Sequence, residues 1–220
     1  MPNTTSKTKS KQTPGPAKLI ASRDAEATKA QILDAAEEEF AQNGLAGART
    51  EAIASRTGVT KAMLYYYFES KEGLYEAVLE RAFLHRIQAV EALQPEAKTP
   101  TEALKLFVES FISHSANRHS IATILLYESM QNKGKYYKQV GVYSLYGTIT
   151  NILERGMKTG EFRKLNAKHA AVNIVGMCVF YFCVRENLKY LWQGKDLLAK
   201  DMIDAHTKES IEMVLNGVRA

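Results

Sequence analysis

The chain has 220 residues, 45% hydrophobic and 24% charged, which supplies a core for one large or two smaller domains and excludes a wholly disordered protein. Its formal charge of +5 points to a polyanionic partner, yet residues 1–23 hold five of the 29 basic residues (Lys7, Lys9, Lys11, Lys18, Arg23) and no acid, so the remainder balances 24 bases against 24 acids. Cys178 and Cys183 fall on one apparent helix and point roughly 140° apart, which excludes a disulfide between them and suits a reducing cytoplasm.

Residues 1–23, rich in Ser, Thr, Pro and Gly, are expected to form a flexible basic arm, without the apolar stretch of a signal peptide. Beyond them apolar residues recur at three- and four-residue spacing with almost no alternation, and the fold class is all-α. Ile32, Leu33, Ala36 and Phe40 share one face of a first helix over Ala25–Asn43, which Gly44 ends. Thr50 is placed to cap a second, short helix with Ile53 and Ala54 inward; Gly58 closes it, and Thr60 caps a third over Lys61–Phe68. Two short helices across a tight Gly-containing turn predict a helix-turn-helix domain over residues 24–70.

In the third helix Met63, Leu64 and Phe68 are expected to face the core, while Lys61, Ala62, Tyr65, Tyr66 and Tyr67 lie nearer the other surfaces. Lysine donates to guanine O6 or N7 or to phosphate, the small alanine allows close approach, and tyrosine hydroxyls reach phosphate oxygens, so this face suits a DNA major groove. The alternative for the tyrosines is packing against neighbouring helices, the expectation for Tyr67. Residues 24–70 carry Lys29, Arg49, Arg56 and Lys61 against eight acids. Of these, Glu37, Glu38 and Glu39 are expected to face solvent away from DNA.

The stretch Thr28–Val78, with Ile32-Leu33, Ala35-Ala36, Phe40, Gly44, Thr50, Ile53-Ala54, Gly58-Val59-Thr60, Leu64-Tyr65, Phe68, Ser70-Lys71-Glu72 and Leu74, resembles the DNA-binding region of the tetracycline-repressor (TetR) family. The resemblance implies a regulator that binds double-stranded DNA, commonly a repressor released by a small-molecule inducer. It implies phosphate contacts from Thr50 and Lys71, base approach by Lys61 and Ala62, and mixed contacts from Tyr65 and Tyr66, with Thr60 at the start of the reading helix. Ala62 stands where the family often has Gly, and Tyr67 where it often has His.

Ser70 and Glu72 start a fourth helix running to about Leu93, which links the reader to a helical ligand-binding and dimerisation domain over residues 71–220. Thr99-Pro100-Thr101-Glu102 is a capping box before a face of Leu104, Phe107, Val108, Phe111 and Ile112. A helix containing Ile121, Ile124 and Leu125 follows, then a loop near Asn132–Lys135. The next helix carries Val142, Leu145, Tyr146, Ile149, Ile152 and Leu153 on one face and ends at Gly160. Asn166 caps a very apolar helix to about Tyr190, and the last runs Asp201–Val218. The run Ala170–Val184 is too short for a membrane span, and a buried helix is expected.

Val172, Val175, Val179, Phe180, Phe182 and Val184 encircle the Asn166–Tyr190 helix, so it needs cover from a second protomer. Pairing it and the last helix with symmetry mates predicts a homodimer and hence a roughly palindromic operator. The Gly160-Glu161-Phe162-Arg163 link and the two helices after it loosely resemble the family's dimerisation region. Phe107, Phe111, Tyr127, Tyr143, Tyr146, Met177 and Tyr181 are candidate lining for an apolar inducer pocket, with plain core packing as the alternative for each. His114 and His119 are candidate inducer-binding groups. No spacing marks a metal site, a cofactor fingerprint or a catalytic motif, which leaves an enzyme and a helical interaction protein without DNA binding as the rival classes.

Overall fold

The computed structural model describes residues 16–137 and 142–220, with side chains from 24 to 137 and from 145 onward. Among the described residues there are ten α-helices and no strand: α1 (Pro16–Gly47), α2 (Thr50–Thr57), α3 (Lys61–Phe68), α4 (Lys71–Glu91), α5 (Pro100–Asn117), α6 (His119–Gln131), α7 (Val142–Thr159), α8 (Ala167–Cys183), α9 (Arg185–Leu188) and α10 (Lys200–Val218). Helix α1 begins well before the expected Ala25, so Pro16 to Arg23, assigned to the arm, are helical backbone; residues 1–15 lie outside the described residues. Gly44 breaks α1 near its end with φ 64° and ψ 176°, a conformation that only glycine adopts freely.

The caps follow the sequence with one correction. Thr60 accepts from the Met63 amide and Ser70 from the Gly73 amide, and Thr99 and Glu102 close the reciprocal capping box. Thr50, expected as the cap of α2, is instead its first helical residue; Arg49 occupies the cap position without a side-chain bond, and the Thr50 side chain turns inward. Gly58 ends α2 in the left-handed region at φ 68°.

Two apolar cores result, and the first does not close at residue 70. Ile32, Ala36 and Phe40 of α1, Ile53 of α2 and Leu64 of α3 bury against Leu74, Tyr75, Val78 and Leu79 of α4 and against Ile121 and Ile124 of α6. The Phe40 and Tyr75 rings meet edge to face at 5.0 Å. A three-helix reader of this size has too little apolar surface to seal itself, so it borrows two helices of the larger domain. The second core gathers α5, α7, α8 and α10 around Leu104, Phe107, Phe111, Ile149, Leu153 and Phe182.

The helix expected from Asn166 to Tyr190 is broken. Helix α8 stops at Cys183, and the chain bends by 69° into the segment Arg185–Trp192. Arg185 donates to the Phe182 carbonyl at 3.2 Å, satisfying part of the exposed helix end. Among the described residues no single helix is long and apolar enough to cross a membrane.

Candidate DNA-reading surface and ligand cavity

Leu64 anchors α3 to the core, Tyr67 and Phe68 pack partly against it, and the other side chains lie at the surface. Lys61, Ala62, Tyr65 and Tyr66 are exposed, Tyr66 by 83%. Met63, expected to face the core, is 40% exposed, because Leu64 with the half-buried Tyr67 and Phe68 already seats so short a helix against its neighbours α2 and α4. Tyr67 is half-buried, its ring edge-on to Tyr66 at 5.4 Å, as the packing alternative expects.

The cations of this face are already engaged. Lys61 pairs with Glu51 one helix away, which lowers the Glu51 carboxyl and raises the Lys61 ammonium, and its Nζ lies 5.8 Å from the Tyr65 ring centre. Lys71 donates to the carbonyls of Ala46 and Ala48, each at 3.2 Å, and so ties the end of α1 to the start of α4; an ammonium has a third donor left for a phosphate. The Thr50 and Tyr65 hydroxyls stand 3.4 Å apart. Gly73 lets α4 start tightly after α3, since a Cβ there would overlap the Phe68 carbonyl oxygen.

The acids of α1 do not all face solvent. Glu37 and Glu39 are buried, and only Glu38 of the three is exposed, because the acids meet arginines from other elements. Glu39 accepts from the Arg49 amide at 3.1 Å and Asn43 at 2.9 Å and stands 3.6 Å from Arg56. Glu37 pairs with Arg81 of α4 at 3.2 Å and with Arg118 at the head of α6. Arg118 in turn donates to Nδ1 of His85 at 2.9 Å; since arginine only donates, that nitrogen accepts. Burial, then Arg118 and Arg81, push the His85 pKa down, so the ring stays neutral beside the two cations. This clamp joins the reader to the two helices it borrows, and spacing gave no signal for it.

Among α6, α7 and α8, with Arg86 of α4 and Phe111 of α5 at its wall, lies a cavity of about 560 Å³, within the usual range for small-molecule sites. Phe111 and Tyr146 of the expected lining face it, with Arg86, Leu125, Leu126, Glu128, Tyr137, Leu145, Val175 and Val179. The other expected residues do not line it. Phe107 is core packing; Tyr181 stacks on His206 at 4.3 Å and donates to the Leu197 carbonyl; Met177 faces a separate groove between α8 and α10; Tyr127 is half-buried on α6. The Tyr143 side chain lies outside the described residues. Arg86 and Glu128 were missed, although Arg86 sits on the Leu79, Ala82, Phe83, Val90 stripe of α4, where a charge among apolar positions is itself a signal. His114 is half-buried near Arg86 with its Nε2 enclosed and unpartnered, and desolvation with the nearby arginines pushes it down to about 4. His119 is also pushed down by burial and by Arg185.

Val172 and Phe180 of α8 and Met213 of α10 are exposed by 55%, 59% and 62%, whereas Val175 and Phe182 are covered within the protomer. Among the described residues no three His, Cys, Asp or Glu side chains gather as a metal site would require.

A capped, exposed reading helix set by a tight turn on a larger helical body defines a helix-turn-helix DNA-binding regulator. The model of bacterial regulatory proteins of the tetR family matches residues 32–78, and that of the tetracyclin repressor-like C-terminal domain matches residues 100–214. The chain belongs to the TetR family of transcriptional regulators. It is 29% identical over 210 residues to the HTH-type transcriptional repressor NicS of Pseudomonas putida, covering 91% of this chain and 96% of that protein. Over 87 residues it is 41% identical to the HTH-type transcriptional regulator RutR of Escherichia coli K12, covering 40% of this chain and 41% of that one. Its fold matches that of the transcriptional regulator FadR from Bacillus subtilis, solved in complex with stearoyl-CoA, with a TM-score of 0.69 at 24% identity over 86% of this chain and 98% of that one.

Proposed function

We propose that the chain is a homodimeric repressor that reads a roughly palindromic operator with paired α3 helices and releases it when a small molecule fills the cavity beside α4 and α6. One observation carries this reading: the helices that line the cavity with Arg86, Leu125 and Leu126 are the same ones that complete the reader's core with Tyr75, Val78 and Ile124. A ligand that moves α4 against α6 therefore shifts the surface on which α1 and α3 rest, and Glu37 couples that shift to α1 through Arg81 and Arg118.

Lys61 and Ala62 approach base edges, Tyr65 and Tyr66 mix base-edge and backbone contacts, Thr50 and Lys71 hold phosphates, and Thr60 starts the reading helix. Lys61 exchanges Glu51 for DNA on binding. The exposed Val172, Phe180 and Met213 are covered by the second protomer, which sets the two α3 helices about 34–36 Å apart or at a multiple of that spacing. Chromosomal DNA as partner places the protein in the cytoplasm, and no catalytic step is assigned to it. The names of NicS as a repressor and of FadR as a stearoyl-CoA complex support repression and a largely apolar ligand. Mobility shifts on duplexes selected from a random pool, with light scattering on the free protein, test the reading. A sequence-specific shift by a dimer is expected; a compact monomer at micromolar concentration, or no sequence preference, overturns it.

A further inference from the structure

The cavity contains a charge without a counterion among the described residues. Arg86 is 5% exposed, its Nε is buried without a partner, and no ion pair or hydrogen bond joins its guanidinium to another described residue. Its Cζ lies 4.6 Å from the centre of the Phe111 ring, a cation–π contact that covers one face and leaves the five in-plane N–H donors unspent. Burial of this kind is costly enough to depress the arginine's pKa.

The lining cannot neutralise it. Glu128 is the carboxylate among the described lining residues, and it is fully committed, accepting from the Tyr136 amide at 2.7 Å, Asn132 at 2.6 Å and the Tyr75 hydroxyl at 3.2 Å. Tyr137 and Tyr146 stand near the guanidinium but stay phenols, Tyr137 being pushed up to about 12 by burial. The rest of the wall is mainly apolar, with Phe111, Leu125, Leu126, Leu145, Val175 and Val179; Ser129 and Cys183 add small polar groups, and Lys133 is exposed, so its charge is solvated and Arg86 is the buried cation.

We propose that the effector is an organic monocarboxylate with an apolar body, its carboxylate held by Arg86 with the Tyr137 and Tyr146 hydroxyls beside it and its body in the leucine and valine wall. A planar guanidinium matches a carboxylate in bidentate geometry, and one buried cation balances one charge. This rests on the cavity being the effector site. It adds why such a ligand would act: its carboxylate draws on α4 while its body presses α6, the two helices that carry the reader.

The test uses the full-length protein, octanoate and 4-phenylbutanoate, and their uncharged amides, by isothermal titration calorimetry at pH 7.5. Each acid is expected to bind at least tenfold more tightly than its amide. Arg86→Met should abolish that preference while the unliganded variant melts at or above the wild-type temperature, since it removes an unpaired buried cation. Arg86→Lys, which keeps the charge and loses the fork, should reduce acid binding at least tenfold with amide binding unchanged, and it carries the test if the methionine variant fails to fold. Acids binding no better than amides, no binding of either, or an Arg86→Met variant that folds with a lower melting temperature overturns the proposal. Acids that bind through Arg86 yet leave a selected operator duplex bound would overturn the effector reading and leave the anion site standing.

Discussion

Replacing Glu37 by Gln removes one charge from the clamp at constant volume. The Glu37 side chain is 9% exposed; without its charge Arg118 would keep only the neutral His85 ring, while Arg81 would retain the exposed Asp34 at 2.7 Å. Taking one partner from a fully buried pair costs about 3–5 kcal/mol; because the arginines keep 15% and 20% exposure and water takes up part of their charge, we expect about 2–3 kcal/mol here. For a chain of this length that corresponds to a melting temperature lower by roughly 4–12 °C. Calorimetry at matched protomer concentration measures it, since dimerisation makes the melting point concentration-dependent. A cycle with Arg118→Gln should return a coupling of at least about 1 kcal/mol between the two residues. A loss below about 0.5 kcal/mol, or additive single and double variants, would show that the clamp does not hold the reader to α4 and α6.

Four further outcomes are expected. Lys61→Ala should weaken operator binding by about 1–3 kcal/mol and relax the preference at one position per half-site, whereas Glu51→Gln, which frees Lys61 and removes an acid from the reading face, should tighten binding; anisotropy titrations read both. Phe180→Glu should shift the protein toward monomer in light scattering and abolish the operator shift, because the second protomer would have to bury an unpaired charge. The His114 pKa is about 4 in the folded chain against 6.5 ordinarily, so the unfolded chain takes up the proton first and stability should fall as the pH drops through that window; His114→Gln should flatten this part of the profile in urea titrations. Deleting residues 1–15, with Lys7, Lys9 and Lys11, should flatten the salt dependence of binding and leave the preferred sequence unchanged, and superimposable slopes would show that this segment does not touch DNA.

How much was legible in the sequence varies by element. The caps at Thr60, Ser70 and Thr99, the stops at Gly58 and Gly160, and the inward faces of α1, α5 and α7 are local features, and each could be read because a cap or a helical face is decided within four residues of chain. The exposed polar face of α3 was legible for the same reason. Met63 was not, since whether a middling apolar residue is covered depends on how far the neighbouring helices extend.

The sequence by itself determined the all-α class, the helix-turn-helix and the caps at Gly58 and Thr60 that bound its two short helices. Only the tertiary structure decided which charges are free. Glu37 and Glu39 resemble solvent-facing acids until Arg81, Arg118 and Arg56 arrive from other helices, and Lys61 resembles a free cation until α2 brings Glu51 alongside. The cavity belongs to the same category: Phe107 and Phe111 are one helical turn apart on one stripe, yet of the two only Phe111 reaches the space walled by α6, α7 and α8. Helical periodicity says that a side chain points inward; which void or ion it meets there is set by elements distant in the chain, and their arrangement is a property of the packed whole.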